Sequence, residues 1–201
     1  MLPQIILSTA YLPPIEYIAY IFEAMEIFIE KEENYHKQTY RNRCYVLSVN
    51  GPQYLSVPLY SGGSPKTIVK DIKIDYSKRW QQVHLGAIRS SYGSSPFFQY
   101  YFEDFESIIK GNYEFLLDLN MNLLELVLNI LRLKKKILYT ENFIPELNDT
   151  RDHRYSITPK LDSVYNSKEY LQVFGENTGF VPGLSIIDLI FNAGPDSDKY
   201  L

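Results

Sequence analysis

Apolar and polar positions along this chain repeat with two periods, and the switches between them outline the fold. Ile5 to Ser8 is a short apolar run of the kind a buried strand makes. It breaks at the Pro-rich turn AYLPP. IEYIAYIFEAM then repeats apolar residues at helical spacing, with Pro14 suited to the first turn. EIFIE, Glu26 to Glu30, alternates, with Ile27 and Ile29 on one face and Phe28 on the other. Strand, helix and strand within about thirty residues is the size of a βαβ unit and predicts a parallel pairing.

Two β-rich runs follow, CYVLSV and QYLSVPL, joined by NGP; Asn50-Gly51 is a strong hairpin signal. Ser61 to Pro65 reads as a Gly/Ser loop, and TIVKDIKID alternates like another strand. The second half turns helical: SKRWQQVHLGAIRSSY, then FFQYYFEDFESIIK, then YEFLLDLNMNLLELVLNILRLKKK. Leu116, Leu119, Leu123, Leu126 and Ile130 form a stripe along the last of these, read as core. Asn148 to Asn166 is polar and irregular, and carries DTRDHR. Order returns with EYLQVF and SIIDLIFNAG. The pattern predicts a single mixed α and β domain over 1–201. Its mixed sheet, with the βαβ unit and the Asn-Gly hairpin, is covered by the later helices, and 145–167 forms a lid or an excursion.

Composition removes several function classes. The 201 residues carry a net charge of −4, so nothing draws the molecule globally toward nucleic acid. The one dense basic run, LRLKKK, is read as a solvated helix end that complements the helix dipole. A single cysteine, Cys44, excludes an internal disulfide. It lies in an apolar strand and is read as a buried thiol. The three histidines are too scattered for a zinc site, and no cofactor is expected. The N-terminal stretch lacks the features of a signal peptide, and NLLELVLNILRL is too short to span a bilayer. A cytoplasmic protein without membrane insertion is expected, alone or as a homodimer. The aromatic load is high, with 18 Tyr and 11 Phe against 1 Trp. Tyrosine suits clefts and interfaces as well as cores.

Candidate chemistry concentrates between Glu32 and Gly51. His36, Lys37, Tyr40, Arg41 and Arg43, with Asn42 between the arginines, form a polar and largely cationic cluster that runs straight into a core strand. Alternate arginines on an extended segment point to one side and make a clamp for phosphate or carboxylate. The competing reading pairs them with Glu32 and Glu33. His84 shares a helical face with Trp80 and Ile88 and is the leading acid/base candidate, against a hydrogen-bonded core role. His36 has a similar case. Tyr11 and Tyr17 flank the turn after the first strand, at the sheet edge where α/β ligands bind. Asp188 and Asn192 are one helical turn apart and could face the same cleft, or Asp188 could pair with Arg41 or Arg43.

In order, the segments TAYLPPIEYIA, YHKQTYRNRCYV, LSVPL, KIDYSKRWQQVHLGAI, SPFFQYY and LSIIDLIFNAGPD resemble the WbqC-like protein family, and more closely its Bacteroidetes branch. The resemblance runs from about Leu7 to Asp196. It departs at Thr9-Ala10, where many members carry Gln-Pro. Such proteins are encoded among O-antigen and other surface-polysaccharide genes. The resemblance therefore implies a role in modifying sugars or sugar nucleotides, and with the cationic cluster as an anion site the expected function is a transferase acting on a sugar nucleotide or another activated anionic donor in surface-glycan assembly. The alternative is a non-catalytic binding or scaffold protein of that pathway. A deep pocket joining Tyr11, His36, Arg41, Arg43 and His84 favours the enzyme; dispersal of these residues favours the partner protein. Strand, Pro-containing turn, helix and strand also open the histidine-signature nucleotidyltransferases. Their histidines are absent, with Glu16 and Tyr17 in that region.

Overall fold

Ile5, Leu7, Ile27 and Ile29 have no solvent exposure, and their strands lie side by side. The computed structural model describes residues 2–147 and 151–201. In it, β1 (Leu2–Ser8) pairs in parallel with β2 (Ala24–Glu30) through helix α1 (Ile15–Glu23). The register sets Ile5 against Ile27 and Leu7 against Ile29, so all four share one face. The expected βαβ unit is present.

The third strand of this sheet is one that the hydrophobic pattern does not predict. β5 (Ile137–Tyr139) joins the far side of β2, also parallel. A three-residue strand after a basic run is too short to leave a period. On the other side of β1 the irregular stretch comes back: the Ile6 N–H donates to the Arg151 carbonyl at 2.8 Å, and the His153 N–H donates to the Ile6 carbonyl at 2.9 Å. Both edges of β1 are thereby occupied. Asn148 to Thr150, at the head of that stretch, lie outside the described residues.

β3 (Arg43–Ser48) and β4 (Gly51–Ser56) form the expected antiparallel hairpin, but as a separate two-stranded sheet: the one mixed sheet expected from sequence is split, and the strands around β2 are all parallel. The turn falls one residue earlier than the Asn-Gly signal: Val49 and Asn50 make the two-residue loop, and Gly51 pairs with Ser48. Gly51 sits at φ 99°, a conformation that glycine adopts without strain.

TIVKDIKID is not a strand. Val69–Asp71 is a single 3₁₀ turn, while Ile68, Lys73 and Ile74 make isolated bridges to Asn34, Phe115 and Leu59. The buried positions are Val69, Ile72 and Ile74, spaced by three and then two, which fits a turn followed by an extended end. EYLQVF, where order is expected to return, carries no regular element until it leads into the single-turn helix α5 (Gly175–Thr178).

The long helices fall where their periodicity places them: α2 (Trp80–Tyr92), α3 (Phe98–Ile109), α4 (Leu116–Ile130) and α6 (Ile186–Ala193). On α4 the buried ridge is rotated from the expected stripe. Leu116, Leu119 and Leu123 are buried, but further along Leu124, Val127 and Leu128 replace Leu126 and Ile130. The lysines of LRLKKK lie beyond the end of α4. Lys135 reaches across to donate to the carbonyls of Phe22 and Ala24, so it caps α1 and not its own helix. α6 packs against α1, α3 and β3. Its Phe191 meets the rings of Tyr92, Phe98 and Phe105. The fold is mixed α and β throughout.

Candidate functional site

The carboxyl edge of the parallel sheet is unusually charged for an interior. Glu30, at the end of β2, and Glu33, three residues on, are both fully buried. Burial of this kind requires partners. Arg41 supplies those of Glu33: its Nε donates to one carboxylate oxygen at 2.9 Å and its Nη2 to the other at 2.7 Å. Arg41 also donates to Thr39 and is only 2 % exposed. Its fork is thus occupied within the protein, as the pairing alternative required. Arg43, two residues on, is half-buried and lies over the Tyr54 ring at 5.4 Å. The two arginines do not form a common clamp.

Glu30 accepts from the Thr140 hydroxyl at 2.6 Å, from the Glu32 and Ile144 N–H groups, and from Arg154 at 3.3 Å. Arg154 is itself 1 % exposed and is also held by Asp152 and by the carbonyls of Ile144 and Pro145. Asp152 and Arg154 therefore act as an anchor, fixing the irregular stretch to the sheet end.

Beyond that anchor the stretch arches over the start of α1 and encloses a cleft of about 460 Å³. Glu16, in the first turn of α1, lies in its lining with Tyr40, Tyr45, Thr158, Ser163 and Tyr165. The Ser163 hydroxyl donates to the Glu16 carboxylate at 2.8 Å, tying roof to floor. Burial pushes the Glu16 carboxyl above its ordinary range, and the Ser163 bond opposes the shift. The Tyr40 ring meets Tyr45 edge-on at 6.3 Å, and burial pushes the Tyr40 hydroxyl up to about 12. The Thr158 hydroxyl is buried and has no hydrogen-bond partner among the described residues. Aromatic faces beside a carboxylate and hydroxyls suit a polyhydroxylated ligand.

Of the eleven residues singled out from sequence, only Tyr40 lines this cleft. His36 and Lys37 are exposed at its border. Lys160, between the lining residues Pro159 and Leu161, donates to the Lys37 carbonyl at 3.0 Å. Burial, Arg41 and Lys160 hold the His36 imidazole below its ordinary pKa. Asn42 is buried, with its amide on the Val57 carbonyl at 2.8 Å. Tyr17 is buried and donates to the Ser8 carbonyl.

Tyr11 and His84 meet in the core, with the Tyr11 hydroxyl 2.9 Å from Nδ1 of His84 and Trp80 against both rings. His84 is 3 % exposed, and burial drives its pKa down to about 4, so the ring is neutral. Asp188, in the first turn of α6, is fully buried. It accepts from Tyr170 and from Gln172, and pairs with neither Arg41 nor Arg43. Burial pushes it up to about 6. The pocket that would join Tyr11, His36, Arg41, Arg43 and His84 is not formed among the described residues. Glu16, Ser163 and Tyr165 carried too weak a signal to be singled out: a glutamate two residues after Pro14 reads first as a helix-start residue. No three His, Cys, Asp or Glu side chains among the described residues could hold a metal ion, and no helix there is long and apolar enough to cross a membrane.

A small α and β protein with a roofed cleft over the carboxyl edge of a parallel sheet is the class these features define. The chain belongs to the WbqC-like protein family, whose profile matches residues 9–164. It is also 23% identical over 227 residues to the uncharacterized protein Rv1507c of Mycobacterium tuberculosis, covering 98% of this chain and 96% of that one. No solved structure matches the chain.

Proposed function

We propose that this protein is a transferase acting on a sugar nucleotide or another activated anionic donor in surface-polysaccharide assembly, and that the cleft between α1 and residues 158–165 is its active site. One observation carries the reading: Glu16 sits in a tyrosine-lined cleft, bonded at 2.8 Å by Ser163 of the roof, where burial raises its carboxyl pKa and suits it to take a proton. Tyr40, Tyr45 and Tyr165 hold the sugar. Glu16 takes the proton from an acceptor hydroxyl as its oxygen bonds to the anomeric carbon of the donor sugar, and the bond from that carbon to the phosphate oxygen breaks, releasing the nucleotide phosphate. Lys37 and Lys160, with His36 beside them, form a cationic border that attracts the donor phosphates.

The position of the cleft supports this reading, since open α/β sheets bind ligands beyond the carboxyl ends of their strands. The dispersal of Tyr11, Arg41 and His84 into the core favours the second reading, a non-catalytic partner protein, because no pre-formed catalytic constellation joins them.

A thermal-shift and transfer assay with a panel of nucleotide sugars separates the two. Stabilisation by one donor class, lost in Tyr45→Ala, together with transfer lost but binding retained in Glu16→Gln, is expected. Binding without turnover points to the partner protein. An unshifted melting temperature across the whole panel removes the sugar-nucleotide reading.

A further inference from the structure

The outer edge of β5 carries backbone groups that the sheet does not use. The Thr140 N–H donates to the Ile29 carbonyl at 3.1 Å. In a parallel ladder these groups alternate in direction, so the N–H groups of Ile137 and Tyr139 point out of the sheet. No strand covers that edge among the described residues.

A groove of about 720 Å³ runs between this edge and α4. The helix contributes Asp118, Met121, Glu125 and Leu128, which lie three or four apart and so line one face along most of its length. The strand contributes Ile137 and Tyr139, two apart and on one side. The ends of the groove differ in charge. Asp118 and Glu125 lie by Tyr139; after burial, their charges are the next causes that raise its hydroxyl pKa. Arg132 and Lys134, which follow α4, line the groove together with Ile137. None of these four charged side chains has an ion-pair partner among the described residues. The groove shares no lining residue with the sugar cleft.

We propose that this groove docks an extended peptide segment of a partner protein, which adds to β5 as a further strand. Main-chain bonds to residues 137 and 139 hold the peptide, and its alternate apolar side chains enter the groove toward Met121 and Leu128. Charge complementarity sets its polarity. An acidic side chain or a carboxyl terminus meets Arg132 and Lys134, and a basic side chain meets Asp118 and Glu125. A second copy of the chain fits less well, because α4 walls one side of the groove and admits a single strand, not a second sheet.

The test is selection of short phage-displayed random peptides against the full-length protein, followed by titration of synthetic versions. The expected peptides alternate apolar residues between an acid and a base. Tyr139→Pro removes an outward N–H without touching the β2 pairing, and Arg132→Glu reverses an exposed charge; each should weaken binding about tenfold or more. A peptide with its acid changed to lysine should recover binding to Arg132→Glu, which a merely misfolded variant cannot reproduce. Failure to enrich any sequence family overturns the proposal. So does enrichment of peptides that bind both variants as tightly as the parent protein.

Discussion

Arg154 and Glu30 stand 124 positions apart in sequence, yet their side chains meet at 3.3 Å with neither exposed to solvent. The contact joins the end of β2 to the root of the arch over the cleft. Breaking one partner of such a pair leaves a buried charge without compensation. Glu30→Gln keeps the shape and the hydroxyl bond but removes the charge, and Arg154→Ala removes the anchor. We expect Arg154→Ala to cost about 3–5 kcal/mol in urea denaturation. Limited proteolysis should then cut first within 145–167, and a parental digestion pattern would contradict the anchoring role.

The Arg41–Glu33 pair yields a different expectation. Either Arg41→Met or Glu33→Met alone should destabilise by about 3–5 kcal/mol, whereas the double substitution should cost far less than the sum. An additive double mutant would mean that the two side chains do not depend on each other.

Two buried groups should tilt stability against pH in opposite directions. Asp188 has its pKa raised from 3.8 to about 6, so the folded state holds that proton more tightly than the unfolded one. Its contribution is complete below pH about 4 and is lost as pH rises through about 6. His84 is depressed from 6.5 to about 4, so its contribution is complete above pH about 6.5 and is lost as pH falls through about 4. Each shift corresponds to roughly 3 kcal/mol at 1.36 kcal/mol per unit, and over the same window the two largely cancel. Relative to the parent protein, Asp188→Asn should gain stability as pH rises from about 4 to 6.5, and His84→Gln should lose it. Urea midpoints measured at intervals across that range decide the matter; curves parallel to the parent protein would exclude both assignments.

Cys44 is 1 % exposed in β3, and burial raises its thiol pKa far above the ordinary value. The thiolate is the reactive form. Thiol reagents should therefore label the native protein only as fast as it unfolds, and label it immediately in denaturant. Rapid native labelling would place Cys44 at the surface.

Elements with their own period were legible in the sequence. The βαβ unit, the hairpin and the long helices follow from apolar spacing within each segment. What escaped is held by pairings distant in sequence. β5 has three residues and no period. Ile72 and Ile74 alternate as in a strand, but Ile72 ends a 3₁₀ turn and Ile74 makes an isolated bridge to Leu59. The cationic cluster around Arg41 was visible as a concentration of charge, and Glu33 nearby suggested its partner. The role of Arg154 was not visible, because nothing near it in the chain points to Glu30. For the same reason, sequence drew attention to the histidines and arginines, whereas the cleft is built from tyrosines and Glu16.

The roof of the cleft and its floor come from segments 147 positions apart, joined through Ser163 and Glu16. The floor is part of the buried βαβ unit, where most substitutions disturb packing. The roof beyond Arg154 is largely exposed and contributes little to the core, with Ile157 the buried exception. Residues 158–165 can therefore vary, and with them the shape of the cleft, while the folding of the sheet stays untouched. Members of one family could diverge in ligand by varying this arch alone.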